Sequence, residues 1–93
     1  MNIIFKKPVN FEGVEHLSID LNFDALTGKD LLKAEAEVRA MGDRTPAVSF
    51  SMKYQAAVAA QAAKVPVEMI LSLPAREFSR VTMLVQNFLF NED

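Results

Sequence analysis

The stretch from Leu73 to Phe90, LPAREFSRVTMLVQNFLF, constrains the fold of this chain more than any other segment. Pro74 suits the first turn of a helix, where a missing N–H leaves no bond unmade. After it, Phe78, Val81, Leu84, Val85, Phe88 and Leu89 recur at three- and four-residue steps. At about 100° per residue these positions form one apolar stripe, the signature of a helix buried along one side. Met83 and Phe90, seven apart, fall on nearly the opposite face. A helix apolar on two faces needs cover on both, and a short chain has little to supply it.

With 93 residues, the sequence is expected to form one domain over 1–93 with a single core. At 51% apolar and 24% charged residues it reads as globular and not disordered. The net charge of −2 arises within residues 1–24, where two lysines meet four carboxylates; over 25–93 the charges balance. No basic field collects phosphates, so nucleic acid is not an expected partner. Without cysteine there is no disulfide framework and no thiolate metal site. No apolar run approaches the roughly 20 residues that span a bilayer, so no membrane partner is expected. Lys6, Lys7 and Pro8 interrupt the apolar start, unlike a signal peptide. The expectation is a soluble intracellular domain.

Residues 1–24 read as a β-hairpin. His16, Ser18, Asp20 and Asn22 alternate with Leu17, Ile19, Leu21 and Phe23, giving one wet face and one buried face. Glu12-Gly13 marks the turn. A two-residue loop there would set Lys6 opposite Ile19, so a shift of one is preferred, through a three-residue loop or a bulge near Pro8. That shift sets Phe5 opposite Ile19 and Ile3 opposite Leu21. Pro8 cannot donate to a ladder, which assigns its strand to an edge. An open edge could also exchange the hairpin between subunits.

Helices follow over 27–42, 49–64, 66–72 and 74–90. Thr27 with Asp30 resembles a capping box, and Gly42 suits the C-terminal end of the first helix. Leu31, Ala34, Val38 and Met41 share its buried stripe. The second helix carries alanine at 56, 57, 59, 60, 62 and 63, which favours helix and lets a neighbour approach closely. Pro66 opens the short third helix. The predicted fold class is α+β, mostly α: an N-terminal β-hairpin followed by a small bundle of about four helices. The Phe78–Leu89 stripe is expected to pack on the Leu31–Met41 helix and on the alanine-rich helix.

No catalytic constellation emerges. His16 is the single histidine, on the polar face of a strand, and alone it anchors no metal. Glu35 and Glu37 point to different helix faces. Gly28 and Gly42 are too isolated for a phosphate loop, and Ser49, Ser51 and Thr27 read as caps. No catalytic, cofactor-binding or metal residue is predicted, and no cofactor. What remains is surface: Arg76 and Arg80 form either a solvated face or a polar contact with a partner. Met83 and Phe90 are either covered by the hairpin or form a seam for a second chain. These four are the candidate partner or self-association surface.

Several segments, in this order and spacing, resemble a known family. They are Phe11-Glu12-Gly13 in the hairpin, Leu26-Thr27-Gly28-Lys29-Asp30-Leu31, and Tyr54-Gln55-Ala56-Ala57-Val58-Ala59-Ala60. Leu73-Pro74-Ala75-Arg76-Glu77-Phe78 and Val85-Gln86-Asn87-Phe88-Leu89 complete the set. The chain is similar to the small tail assembly chaperones of contractile-tailed and related phages and prophages. That resemblance implies a non-enzymatic protein that self-associates as a homo-oligomer. It implies that the protein coats the long, helical tape measure protein in the host cytoplasm until the tail tube polymerises, then leaves and is absent from the virion. It also implies a longer product of the same gene made by ribosomal frameshifting. The alternative is a structural subunit or small interaction module retained in the tail particle.

Overall fold

The computed structural model describes residues 1–91. It consists of strands β1 (Asn2–Phe11) and β2 (Val14–Asp20), then helices α1 (Gly28–Ala40), α2 (Met52–Ala63), α3 (Val67–Leu71) and α4 (Ala75–Phe90). Short 3₁₀ turns at Phe23–Ala25 and Val48–Phe50 precede α1 and α2. With 57% helix against 19% strand, the fold is α+β and mostly α, an antiparallel hairpin followed by a helical bundle.

The packing centre is α2, not α4. Every residue from Tyr54 to Ala60 is buried, and α1, α3, α4 and β2 all touch this one helix. Alanine explains it: a helix surfaced with methyl groups lets neighbours approach on every side, and its propensity keeps it helical without an amphipathic stripe. Ser51 caps it by accepting the Tyr54 N–H at 3.2 Å, and Lys64 ends it in the left-handed region at φ 57°. Helices α1 and α4 therefore each pack on α2, and the expected contact between the α4 stripe and α1 is largely replaced by it. From α4, Val81 and Val85 are fully buried, whereas Phe78, Leu84 and Leu89 are only half-buried at the rim of the core. Phe88 reaches the surface and stacks on Phe23, with ring centroids 4.8 Å apart.

The caps follow local chemistry. The Asp30 carboxylate accepts the Thr27 backbone N–H at 2.9 Å and the Thr27 hydroxyl at 3.2 Å. Gly42 follows α1 at φ 94°, a conformation costly for residues with a Cβ.

The bulge near Pro8, one of the two expected routes to a shifted register, is present, but it takes up more than the single residue expected, so Ile3 faces Ile19 and not Leu21. The two-residue turn at Glu12-Gly13 stands, with Phe11 opposite Val14 and both turn residues at positive φ. Beyond Val9 opposite His16 the ladder breaks, and it resumes with Ile4 opposite Ser18 and Ile3 opposite Ile19. Four β1 residues, Phe5 to Pro8, thus face Leu17 alone. The three extra residues are an odd number, so β2 changes which side it presents to the core between its two halves. His16 is consequently half-buried beside Val9, and Leu17 stands 62% exposed. On the inner side Ile3, Phe5, Val9, Ile19 and Leu21 join the same apolar cluster as α2. The Asn22 N–H, bonded to the Ala62 carbonyl at 3.2 Å, ties the base of the hairpin to the end of α2.

Candidate interaction surface

The bulge in β1 is held by α4. Glu77, in the first turn of α4, is buried, and its Oε2 accepts the Lys6 backbone N–H at 2.8 Å. Its Oε1 pairs with the Arg80 guanidinium at 2.9 Å, and the same Arg80 nitrogen lies 3.4 Å from the Ile4 carbonyl. A carboxylate at a helix N-terminus also meets the positive end of the helix dipole. One acid therefore captures a free strand amide and a half-exposed arginine together. The contact engages the β1 edge at Lys6; among the described residues, neither strand of the sheet carries a further strand on its outer side.

Above this latch, α4 presents an exposed ridge. Arg76, Arg80, Met83, Asn87 and Phe90 follow one another at steps of four, three, four and three, and all are exposed. Met83 is 58% and Phe90 46% exposed, a high figure for side chains of that size. Phe90 stacks on Phe50 with centroids 5.1 Å apart, and Phe50 is itself 70% exposed. On the β1 side of the ridge, open concavities of about 260, 390, 350 and 470 Å³ succeed one another along α4. Adjacent ones share lining residues: Lys6 and Arg76, then Arg80 and Met83, then Met1 and Leu84. The start of this trough is basic, with Lys6, Lys7 and Arg76, and its far end holds Phe23 and Phe88.

The four residues singled out from the sequence thus lie on one ridge but in different settings. Met83 is its bare apolar crest. Phe90 belongs to an aromatic pair with Phe50. Arg80 is partly engaged within the chain, and Arg76 has no hydrogen bond or ion pair among the described residues. Sequence reasoning missed Phe50 and the burial of Glu77. Glu77 sits at a first-turn position where an acid is expected on any solvated helix, so nothing local announced its role.

Elsewhere several polar groups hold the chain's own loops and helices in place. Among the described residues, no three His, Cys, Asp or Glu gather to hold a metal ion, and no helix is long and apolar enough to cross a membrane. Burial pushes the Tyr54 phenol above its ordinary value, and the Glu35 charge adds to this. Gln55, also buried, donates to the Ser49 carbonyl at 3.0 Å and accepts from the Gln86 amide at 3.1 Å.

Asp43 organises the loop between α1 and α2. Its carboxylate accepts from the Ser51 hydroxyl and from the Thr45 hydroxyl and N–H, while Arg39 donates to the Asp43 and Thr45 carbonyls. The Ser51 hydroxyl, then Thr45, then the Arg39 charge hold its pKa at about 2, below the ordinary 3.8. A depressed value means that the ionised form favours the fold. Its contribution is complete above the ordinary value and is lost as pH falls through about 2. Urea unfolding followed between those values should lose stability more steeply in the wild type than in Asp43→Asn. Parallel curves would mean that the loop network contributes nothing.

A model of the family described as phage tail assembly chaperone proteins, E, or 41 or 14, matches residues 2–89. No curated protein and no solved structure matches the chain.

Proposed function

Because the chain belongs to the family of phage tail assembly chaperones, we propose that it associates with copies of itself and shields the tape measure protein before the tail tube polymerises. The family match over residues 2–89 carries this reading. The surface is compatible with it: Met83, Phe90 and Phe50 keep apolar area in water, as expected of a protein that covers the apolar surface of another. Family membership points to a non-enzymatic protein, and the polar groups described above are engaged in caps, loops and the Glu77 latch. The protein works in the host cytoplasm and leaves before the particle is complete.

Co-expression tests the proposal. The tape measure protein should shift from the insoluble to the soluble fraction when this chain is present, and mass spectrometry of purified tails should lack the chain. Unchanged client solubility together with stoichiometric retention in tails would instead identify a structural subunit.

A further inference from the structure

We infer that the basic start of the trough between β1 and α4 holds an acidic, amphipathic segment of another protein. Its carboxylates would lie on Lys6, Lys7 and Arg76, and its apolar side chains in the hollows beside them. The fold gathers these three charges from distant parts of the sequence. Lys6 and Lys7 lie in the β1 bulge, Arg76 in the first turn of α4, and all three line one open hollow of about 260 Å³ over Pro74 and Ala75. The Glu77 carboxylate holds the bulge against the helix through the Lys6 N–H, so the arrangement exists before any partner arrives.

Charge selects an anionic occupant. All three side chains are exposed, and none enters an ion pair among the described residues. Like charges set around one hollow repel one another, although the chain as a whole has a net charge of −2 and carboxylates to spare. The start of a 16-residue helix adds positive field at the same place. Carboxylates from outside relieve that repulsion. The walls then narrow the choice of anion. The next hollow along α4, about 390 Å³, is bordered by Arg76, Arg80 and Met83. Met83 is 58% exposed, and its unbranched thioether adapts to apolar groups of varied shape. A nucleic acid would satisfy the cations but leave these apolar walls wet, and neither hollow is lined by an aromatic ring on which a base could stack. A helix with carboxylates flanking an apolar stripe satisfies cations and walls together. The chemistry of this occupant is independent of the shielding proposed above, so the failure of either leaves the other standing.

Fluorescence anisotropy with two labelled synthetic peptides tests the inference. Both are about 16 residues long, the length of α4, with leucine at three- and four-residue steps; one carries glutamate at the remaining positions and the other lysine. The wild type should bind the glutamate peptide at least about tenfold more tightly than the lysine peptide, and more weakly as salt is added. Lys6→Glu with Lys7→Glu and Arg76→Glu should reverse that preference while the circular-dichroism melt is kept. The set Lys6→Gln, Lys7→Gln and Arg76→Gln should erase the preference, and it serves where the reversal disturbs the fold. The same reversal at Lys29, Lys33 and Lys53, which line neither hollow, should leave the preference in place and so separates the site from net charge. Serine in place of the peptide's leucines should abolish binding. Equal affinity for the two peptides overturns the inference, as does a preference that survives the reversal at Lys6, Lys7 and Arg76. Binding retained by the serine peptide overturns it too, because the hollows then hold nothing, and so does a single-stranded oligonucleotide bound as tightly as the glutamate peptide. If sedimentation shows an oligomer that the same three reversals dissociate, and the peptide does not bind, the surface belongs to a second copy and the inference falls.

Discussion

Replacing Ala59 by leucine should lower stability by about 3 kcal/mol, the upper part of the range for overfilling a packed core. Ala59 is fully buried in α2, the helix against which α1, α3 and α4 all lie. A leucine there has no open side to turn to, because every residue from Tyr54 to Ala60 is buried. The neighbouring helices must move outward or the new side chain must leave its preferred rotamer. For a chain of this size, with a total stability of about 5–14 kcal/mol, that is a large fraction. In urea the midpoint should fall with the slope unchanged, the sign of lost stability in an otherwise similar native state. Ala36→Leu on the exposed face of α1 serves as the control and should stay within about 0.5 kcal/mol of wild type. An unchanged midpoint for Ala59→Leu would show that α2 is not the close-packed centre.

Glu77→Ala should cost about 2–3 kcal/mol, since it removes a charge-assisted bond to a strand amide and strands the groups it served. The Lys6 N–H loses its 2.8 Å acceptor, and Arg80 loses its partner. Glu77→Gln should cost less, because an amide oxygen can still accept the Lys6 N–H. Arg80→Ala should cost little, its half-exposed ion pair being screened by solvent. Hydrogen exchange at the Lys6 amide reports the latch directly. Acceleration there in Glu77→Ala, with core amides of α2 unaffected, would place the damage at the hairpin and not in the bundle. Equal exchange in both proteins would remove Glu77 from this role.

Much of the fold was legible because its signals are local. The Glu12-Gly13 turn, the Thr27 and Asp30 pair, Gly42 after α1 and Pro74 before α4 act within a few residues of where they stand, whereas the alternation read over 16–23 misplaced Leu17, which is exposed, and Phe23, which lies in a 3₁₀ turn. The central role of α2 was hidden for a physical reason. Hydrophobic periodicity reveals a helix that lies between core and water, as α4 does, but is silent about one surrounded on all sides. Alanine deepened the concealment, being small and weakly apolar. Of the β1 register, the bulge near Pro8 was legible, because Lys6 opposite Ile19 is a poor pair; its size was not, and the Glu77 carboxylate that holds the Lys6 N–H within it lies 71 residues away. On the candidate surface, spacing alone set Met83 and Phe90 apart from the main stripe. Phe50 escaped notice because it belongs to the turn before α2 and joins the ridge only through folding.

The contact between Lys6 and Glu77 also has a consequence in time. It joins groups 71 residues apart, so the hairpin is synthesised long before the helix that holds it. At roughly 5–20 residues per second the ribosome needs about 4–14 s to make the intervening chain. During that interval Ile3, Phe5, Val9, Ile19 and Leu21 have no α4 to complete their cover, and the β1 edge is not yet engaged at Lys6. A member of a family of assembly chaperones therefore begins its own existence with its first segment still in need of cover.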